Sequence, residues 1–386
     1  MKIGTRLRPM MTESNIRSLF AESYSPDAGE VTVCNAPGRV NLIGEHTDYN
    51  DGYVLPVPID RHVWLAGTGR DDDVVSVHAV DYGESASFNL GSPRFDERHL
   101  WLNYVQGLAW ALQGLDHELV GANLVVRGDV PQGAGLSSSA ALEVASARMF
   151  TSLSGIEMNP IDLAYACKRA ENEFVGVQCG VMDQFVASLG RRGMALFIDC
   201  RTNENELLSL PDGYRIVVVD TTVKRELAFS AYNERRGQCE EAVRRLRGVL
   251  PQIEALRDVS PEKLHAHKGE LDDLLFRRCR HVVDENARVI EAVDSLRRED
   301  METFGALMYL SHESLRDDYE VSCRELDVLV ESARGIEGVV GARMTGAGFG
   351  GCTVNVVEEE RVARFKEEVR RSYLSVTGLD ANVYVV

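Results

Sequence analysis

Residues 131–142, Pro-Gln-Gly-Ala-Gly-Leu-Ser-Ser-Ser-Ala-Ala-Leu, set two glycines and three serines directly before an apolar helical pattern. A strand-like run, Ala122–Val126, leads towards them. Leu136, Ala140, Val144 and Ala147 mark the buried face of the helix that follows. Gly133 and Gly135 permit backbone conformations and close approaches that a side chain would block. Ser137, Ser138 and Ser139 stand where a helix N-terminus uses hydroxyls. The free backbone N–H groups of such a start converge on one point and suit an anion. A capped helix after a glycine turn would read the same way, so the stretch alone leaves both readings open. It is not a Walker A loop, because the Gly-Lys-Ser/Thr ending is missing.

An anion site has to be local here, because the chain carries a formal net charge of −18. That balance argues against a general nucleic-acid or anionic-membrane binder. A chain of 386 residues predicts two domains rather than one. No apolar run approaches the roughly 20 residues of a membrane span. The stretch Met1–Met11 is basic but has no apolar signal core, and the expected location is the cytoplasm. Eight cysteines are scattered without a Cys-x-x-Cys pair, and the nine histidines form no His-Glu-x-x-His. Reduced thiols and no zinc site are expected.

Along the chain, a short helix is predicted over 12–25 and a strand over Val31–Cys34. The segment Ala36–Tyr53 is rich in turn formers and holds Arg39, Glu45, His46 and Asp48. Glu-His-x-Asp on a loop could ligate a metal, but no further ligands are evident nearby; it can also grip sugar hydroxyls, or be an ordinary polar loop. Strands are expected at His62–Ala66, Val74–His78 and Ser85–Leu90, then a helix over Trp101–Leu112. Trp101 itself reads as core. A helix begins near Pro160 and runs to Phe174, with Glu171 and Glu173 on different sides. Another starts at Val181 and places Asp183 in its first turn, where a carboxylate can simply complement the helix dipole. A strand over Met194–Asp199 is followed by the polar, irregular 202–210, taken as the domain boundary. A strand at Tyr214–Asp220 opens a helix-rich second half, with helices near 230–247, 270–297, 300–314 and 322–335. Gly346, Gly348, Gly350 and Gly351 form a second glycine-rich loop that feeds a strand, unlike the strand-first Rossmann order. A last helix over 358–377 and a strand over 382–386 follow.

Three segments stand in this order: Pro37–Gly52, Pro131–Ala140 and Met344–Cys352. Together they resemble the kinases named for galactose, homoserine, mevalonate and phosphomevalonate. The first segment, with Gly-Arg-Val-Asn-Leu-Ile-Gly-Glu-His-Thr-Asp, is similar to the signature of the galactokinase branch. So are Ala170–Gly176, Cys179–Gln184 and Tyr232–Arg236. The resemblance runs from about residue 15 to the end, and Ala347 stands where a glycine is common.

It implies an α+β fold of two lobes, mixed-sheet over 1–205 and helix-rich over 206–386, with the active site in the cleft. It implies transfer of the ATP γ-phosphoryl to the C1 hydroxyl of α-D-galactose with Mg²⁺, the first committed step of galactose catabolism. By the same resemblance Gly133, Ala134, Gly135, Leu136, Ser137, Ser138 and Ser139 wrap the nucleotide phosphates. Trp101 lies near the adenine, which displaces its reading as core. Ser139 and Glu171 are implied as magnesium ligands. Glu45, His46, Thr47, Asp48, Gly180, Asp183 and Tyr232 are implied to contact the sugar. Asp183 is implied as the catalytic base and Arg39 as the cation beside it. The expected partners are galactose and ATP, with no nucleic acid and no membrane. A monomer is favoured although the sequence does not reveal the oligomeric state. A kinase for N-acetylgalactosamine or L-arabinose, or a non-catalytic galactose sensor, are the alternatives. The intact serine loop, with Arg39 and Asp183 both present, weighs against the sensor.

Overall fold

The computed structural model describes residues 10–24, 29–223 and 228–386. Most of the basic N-terminal stretch and the last residue of the helix expected over 12–25 lie outside the described residues. Packing divides the described residues into two units: those within 1–39, 59–132 and 137–190 form the first, and those within 40–58, 133–136 and 191–386 the second. The backbone therefore changes unit five times, once directly after Arg39 and twice around the serine loop.

In chain order, helix α1 (Glu13–Ser23) precedes strand β1 (Thr32–Asn41), and the short β2 (Tyr53–Val54) precedes the long β3 (Pro56–Arg70). Thr12 caps α1, its hydroxyl accepting from the Asn15 N–H at 3.3 Å while Asn15 Oδ1 accepts from the Thr12 N–H at 3.2 Å. That reciprocal pair satisfies two of the helix's orphan donors. Ile16 and Phe20, one turn apart, bury against Ala66 and Val125. Each such side chain contributes about 1.5–3 kcal/mol.

The first unit's sheet adds β4 (Val74–Ala79), β5 (Glu84–Asn89) and β6 (Gly121–Gly128), in the order β1-β3-β6-β4-β5. It is mixed: β4 runs parallel to β6, while β3 with β6 and β4 with β5 are antiparallel. Helices α2 (Leu102–Gln113), α3 (Ser138–Leu153), α4 (Pro160–Arg169) and α5 (Met182–Leu189) pack on one another. Ala140, Val144 and Ala147 are buried on α3 as expected. The helix expected to reach Phe174 leaves the α-helical path at Arg169. It continues as a wider π-turn over Ala170–Val175 and stops at Gly176, φ 89°. Pro160 and its cap Asn159 are legible in the sequence, whereas the widened turn depends on packing that periodicity does not carry.

In the second unit, β2, β7 (Met194–Asp199) and β8 (Asn205–Ser209) form an antiparallel sheet. Residues 205–209 were expected to be irregular and are a strand. Leu207 and Leu208 pair opposite Leu196 and Ala195, and this pairing overrides a polar composition. A second antiparallel sheet has the order β10-β11-β9-β12, from β9 (Tyr214–Asp220), β10 (Val339–Thr345), β11 (Cys352–Glu358) and β12 (Asn382–Val385). Strand β10 was not anticipated, so the second glycine loop is the turn of a hairpin rather than only a lead-in to a strand. The helices are α6 (Ala228–Leu246), the unanticipated α7 (Pro261–Ala266), α8 (Asp273–Arg297), α9 (Met301–Asp317), α10 (Arg324–Arg334) and α11 (Val362–Thr377). Val217, Val219, Leu329, Phe365 and Val369 build one core between sheet and helices. Helix α9 lies unusually close on β10: a Cβ on Gly305 would fall 2.0 Å from the Val340 carbonyl oxygen. Among the described residues no helix is long and apolar enough to cross a membrane.

Candidate active site

Arg39 was expected on a loop. It lies instead on β1, which extends seven residues beyond Cys34. Extended backbone aims its buried side chain at the first turn of α5. There the guanidinium grips Asp183 with two prongs, Nε to Oδ1 and Nη2 to Oδ2, both 2.8 Å. Such a fork is the geometry that a lysine ammonium cannot reproduce.

Asp183 Oδ2 also accepts a hydrogen bond from the Ser137 hydroxyl. Ser137 is the N-cap residue of α3, yet it does not cap. Its φ of 58° and ψ of 48° are left-handed, and the hydroxyl is spent on Asp183. A non-glycine residue there is held by its surroundings, a pattern frequent at functional sites. Gly133 and Gly135 take positive φ as expected, 74° and 78°. Ser138 and Ser139 open the helix, and Gly180 is buried just before α5.

Glu171 sits in the π-turn, 6% exposed. Its Oε2 accepts from Gln184 Nε2 at 2.6 Å and from Cys179 Sγ at 3.2 Å, and the Ser139 hydroxyl also bonds the carboxyl. Burial, and then the charge of Asp183, push its pKa up to about 7. The wholly buried Glu143 accepts from the same Gln184 nitrogen at 3.1 Å, and burial holds its carboxyl well above the usual range. Helical periodicity alone does not reveal this second carboxylate; a glutamate inside an apolar stripe is the only signal.

Trp101 precedes α2 and is half-buried, with Nε1 donating to Glu84 at 3.0 Å. Its ring lies nearly parallel to Tyr82, 11° between planes and 6.3 Å between centroids. The Tyr82 hydroxyl reaches Gln132 at 3.3 Å, directly before the serine loop.

In the second unit, Glu45 is 2% exposed. Its Oε1 accepts from the Gly346 N–H at 2.6 Å and the Thr345 hydroxyl at 3.1 Å, with Arg343 Nη1 at 3.5 Å. The loop after β1 and the second glycine-rich loop therefore meet at this carboxylate. His46, also buried, has φ 64°. Burial, then His281, depress its pKa to about 3, so the ring is neutral. Tyr232 lies against it, 5.6 Å between ring centroids. Thr47 points its hydroxyl at the Gly44 and Tyr53 carbonyls, 2.8 and 2.6 Å away, and so braces the loop. Asp48 is half-buried at the start of a short 3₁₀ turn.

A layer behind this loop escaped the sequence reading. Glu285 accepts from the Gly44 N–H at 2.9 Å, Asn286 from the Tyr53 N–H at 2.9 Å, and His281 Nε2 lies 3.1 Å from the Glu45 carbonyl. All three come from α8. A histidine, a glutamate and an asparagine buried on one long helix were the available signal.

Three family models match the chain: GHMP kinases N terminal domain over 103–191, the galactokinase galactose-binding signature over 18–68, and GHMP kinases C terminal over 292–375. With the mixed sheet and the serine loop at the head of α3, they define a kinase of the GHMP class. A galactokinase of Roseiflexus sp. is 46% identical over 97% of this chain and 95% of its own length. One of Chloroflexus aggregans is 48% identical over 90% and 89%. Among solved structures, Lactococcus lactis galactokinase complexed with galactose superposes with a TM-score of 0.93 at 37% identity, covering 96% of this chain and 97% of that one. Methanococcus jannaschii mevalonate kinase matches in fold alone, with a TM-score of 0.62 at 20% identity over 92% and 98%. The chain belongs to the galactokinase family, whose members are ATP-dependent phosphotransferases.

Proposed function

We propose that the protein transfers the γ-phosphoryl group of ATP to the C1 hydroxyl of α-D-galactose. The observation that carries the reading is the forked Arg39–Asp183 pair, with the Ser137 hydroxyl of the serine loop on the same carboxylate. Asp183 takes the C1 hydroxyl proton. The sugar oxygen bonds to the γ-phosphorus, the bond to the bridging oxygen breaks, and ADP leaves. Arg39 holds Asp183 in place and offers its charge to the transferring group. This reaction asks the protein chiefly for positioning and charge compensation.

Residues 133–139 supply backbone N–H groups to the phosphates. The Tyr82–Trp101 pair offers an aromatic surface to the adenine. Ser139 and Glu171 fit a magnesium ion: they are adjacent oxygen donors, and Glu171 is a buried carboxylate whose ionised form would gain from a cation. Magnesium would neutralise charge on the phosphate oxygens. Glu45, His46, Asp48 and Tyr232 offer polar groups to sugar hydroxyls, as do Gly180 and Asp183 in their own unit, and Thr47 keeps the loop of Glu45, His46 and Asp48 in shape. ATP consumption measured with and without D-galactose tests the assignment. Galactose-dependent ADP release is expected, and equal rates with N-acetylgalactosamine or L-arabinose would overturn the choice of sugar.

A further inference from the structure

Behind His46 runs a line of polar groups that the phosphoryl transfer does not use. His46 Nδ1 lies 2.9 Å from the Tyr49 hydroxyl, that hydroxyl 2.8 Å from the Tyr319 hydroxyl, and Tyr319 3.2 Å from Cys239 Sγ. Tyr319 and Cys239 are buried in the apolar core of this unit and Tyr49 packs against it. Burial keeps both phenols and the thiol protonated, the thiol pushed up to about 11. The imidazole is neutral and carries one proton. Its Nε2 is buried and meets no partner of hydrogen-bonding geometry.

The order of protons along this line decides what Nε2 can do. If Tyr49 donates to Nδ1, then Tyr319 donates to Tyr49 and the Cys239 thiol donates to Tyr319. Every link is filled and the ring proton sits on Nε2. The reverse order has imidazole donating to phenol oxygen and ends on sulfur, a weak acceptor. A phenol is the better donor and an imidazole nitrogen the better acceptor, so the first order is favoured.

We propose that Tyr49 is a positioning residue which, backed by Tyr319 and Cys239, fixes His46 as the Nε2–H tautomer, presenting a hydrogen-bond donor to a hydroxyl oxygen of the sugar. The inference rests on the reading of His46 as a sugar contact. A ring free to exchange tautomers would spend part of its time offering a lone pair to the same oxygen.

The test is ¹⁵N NMR of the histidine rings in the full-length protein, with His46 assigned by its disappearance in His46→Gln. Expected in the wild type is an unprotonated Nδ1 and a protonated Nε2. A protonated Nδ1 overturns the proposal without any variant. In Tyr49→Phe the ring signature should move towards tautomer exchange. Galactose KM should rise about three- to tenfold, the worth of one hydrogen bond, with kcat and the KM for ATP unchanged. Tyr319→Phe, one link further back, should shift the ring in the same direction by less. It serves as the variant if Tyr49→Phe does not fold. An unmoved ring and an unmoved galactose KM in both variants would overturn the proposal. Normal galactose affinity in His46→Gln would instead overturn the sugar-contact reading, while the wild-type ring spectrum still decides the tautomer.

Discussion

At the scale of single residues, Asp183 has two possible jobs, and they differ in what its replacement costs. Asp183→Asn keeps the size and most of the hydrogen bonding but removes charge and basicity. As a base its loss should lower turnover by about 10²–10⁴-fold, the usual worth of proton transfer by a positioned side chain. Galactose affinity should change far less. If the carboxylate only complements the α5 dipole, the loss is up to about 1 kcal/mol of stability with near-normal turnover. Steady-state kinetics on the folded variant separates the two. The fork at 2.8 Å predicts that Arg39→Lys is also costly, because an ammonium reaches one oxygen at a time. Acting as one unit, the two residues should show a double variant that loses much less than the product of the single losses.

At the scale of elements, α8 holds the loop after β1 through Glu285, which is fully buried. Burial works against that charge, but Arg288, His281 and Arg343 outweigh it and hold the carboxyl down to about 2 from an ordinary 4.5. A group depressed on folding binds fewer protons in the native state. Its stabilisation is therefore complete above about pH 4.5 and is lost as the pH falls towards 2. Glu285→Gln should lower stability at neutral pH by up to about 3–5 kcal/mol, because buried cations lose their partner. It should also flatten the loss of stability between pH 4.5 and 2. Urea melts across that range measure both, and an unchanged slope would exclude Glu285 as the titrating group. The contact of α9 on β10 supplies a second element-scale test. Gly305→Ala drives a Cβ to 2.0 Å from backbone, so it should cost about 2 kcal/mol or more even after the gain in helix propensity. Gly237→Ala, on α6 with open space around it, should instead stabilise by up to about 1 kcal/mol.

For the molecule as a whole, ligand binding is the measurable quantity. Galactose at a hundred times its Kd stabilises the native state by about 2.7 kcal/mol. That should raise Tm by a few degrees. Glucose differs only at C4, and an epimer that leaves buried polar groups unpaired loses about 1–3 kcal/mol for each. As proposed sugar contacts, the buried Glu45 and His46 predict a preference for galactose of at least about tenfold in kcat/KM, with a correspondingly smaller Tm shift from glucose. Equal kcat/KM on the two sugars would remove galactose as the specific substrate.

Local chemistry carried much of this protein into view from the sequence alone. The glycine–serine helix start, the apolar faces of α1 and α3, and the order of most strands and helices follow from short-range patterns. So does the grouping of Arg39, Glu45, His46 and Asp48 on one polar segment, whereas Asp183 stood out only through the family resemblance. Such features depend on spacing and side-chain type within a few residues of one another. What the tertiary structure decided depends on residues far apart in the chain. Ser137 turns from the helix it was expected to cap to bond Asp183, 46 positions away. Residues 205–209 become a strand because Leu196 and Ala195 offer a partner. In the loop after β1, Gly44 is held by Glu285 and Glu45 by Gly346, 241 and 301 positions on. A polar group taken out of water must find a partner wherever the fold provides one, and the linear pattern does not show where that partner will be.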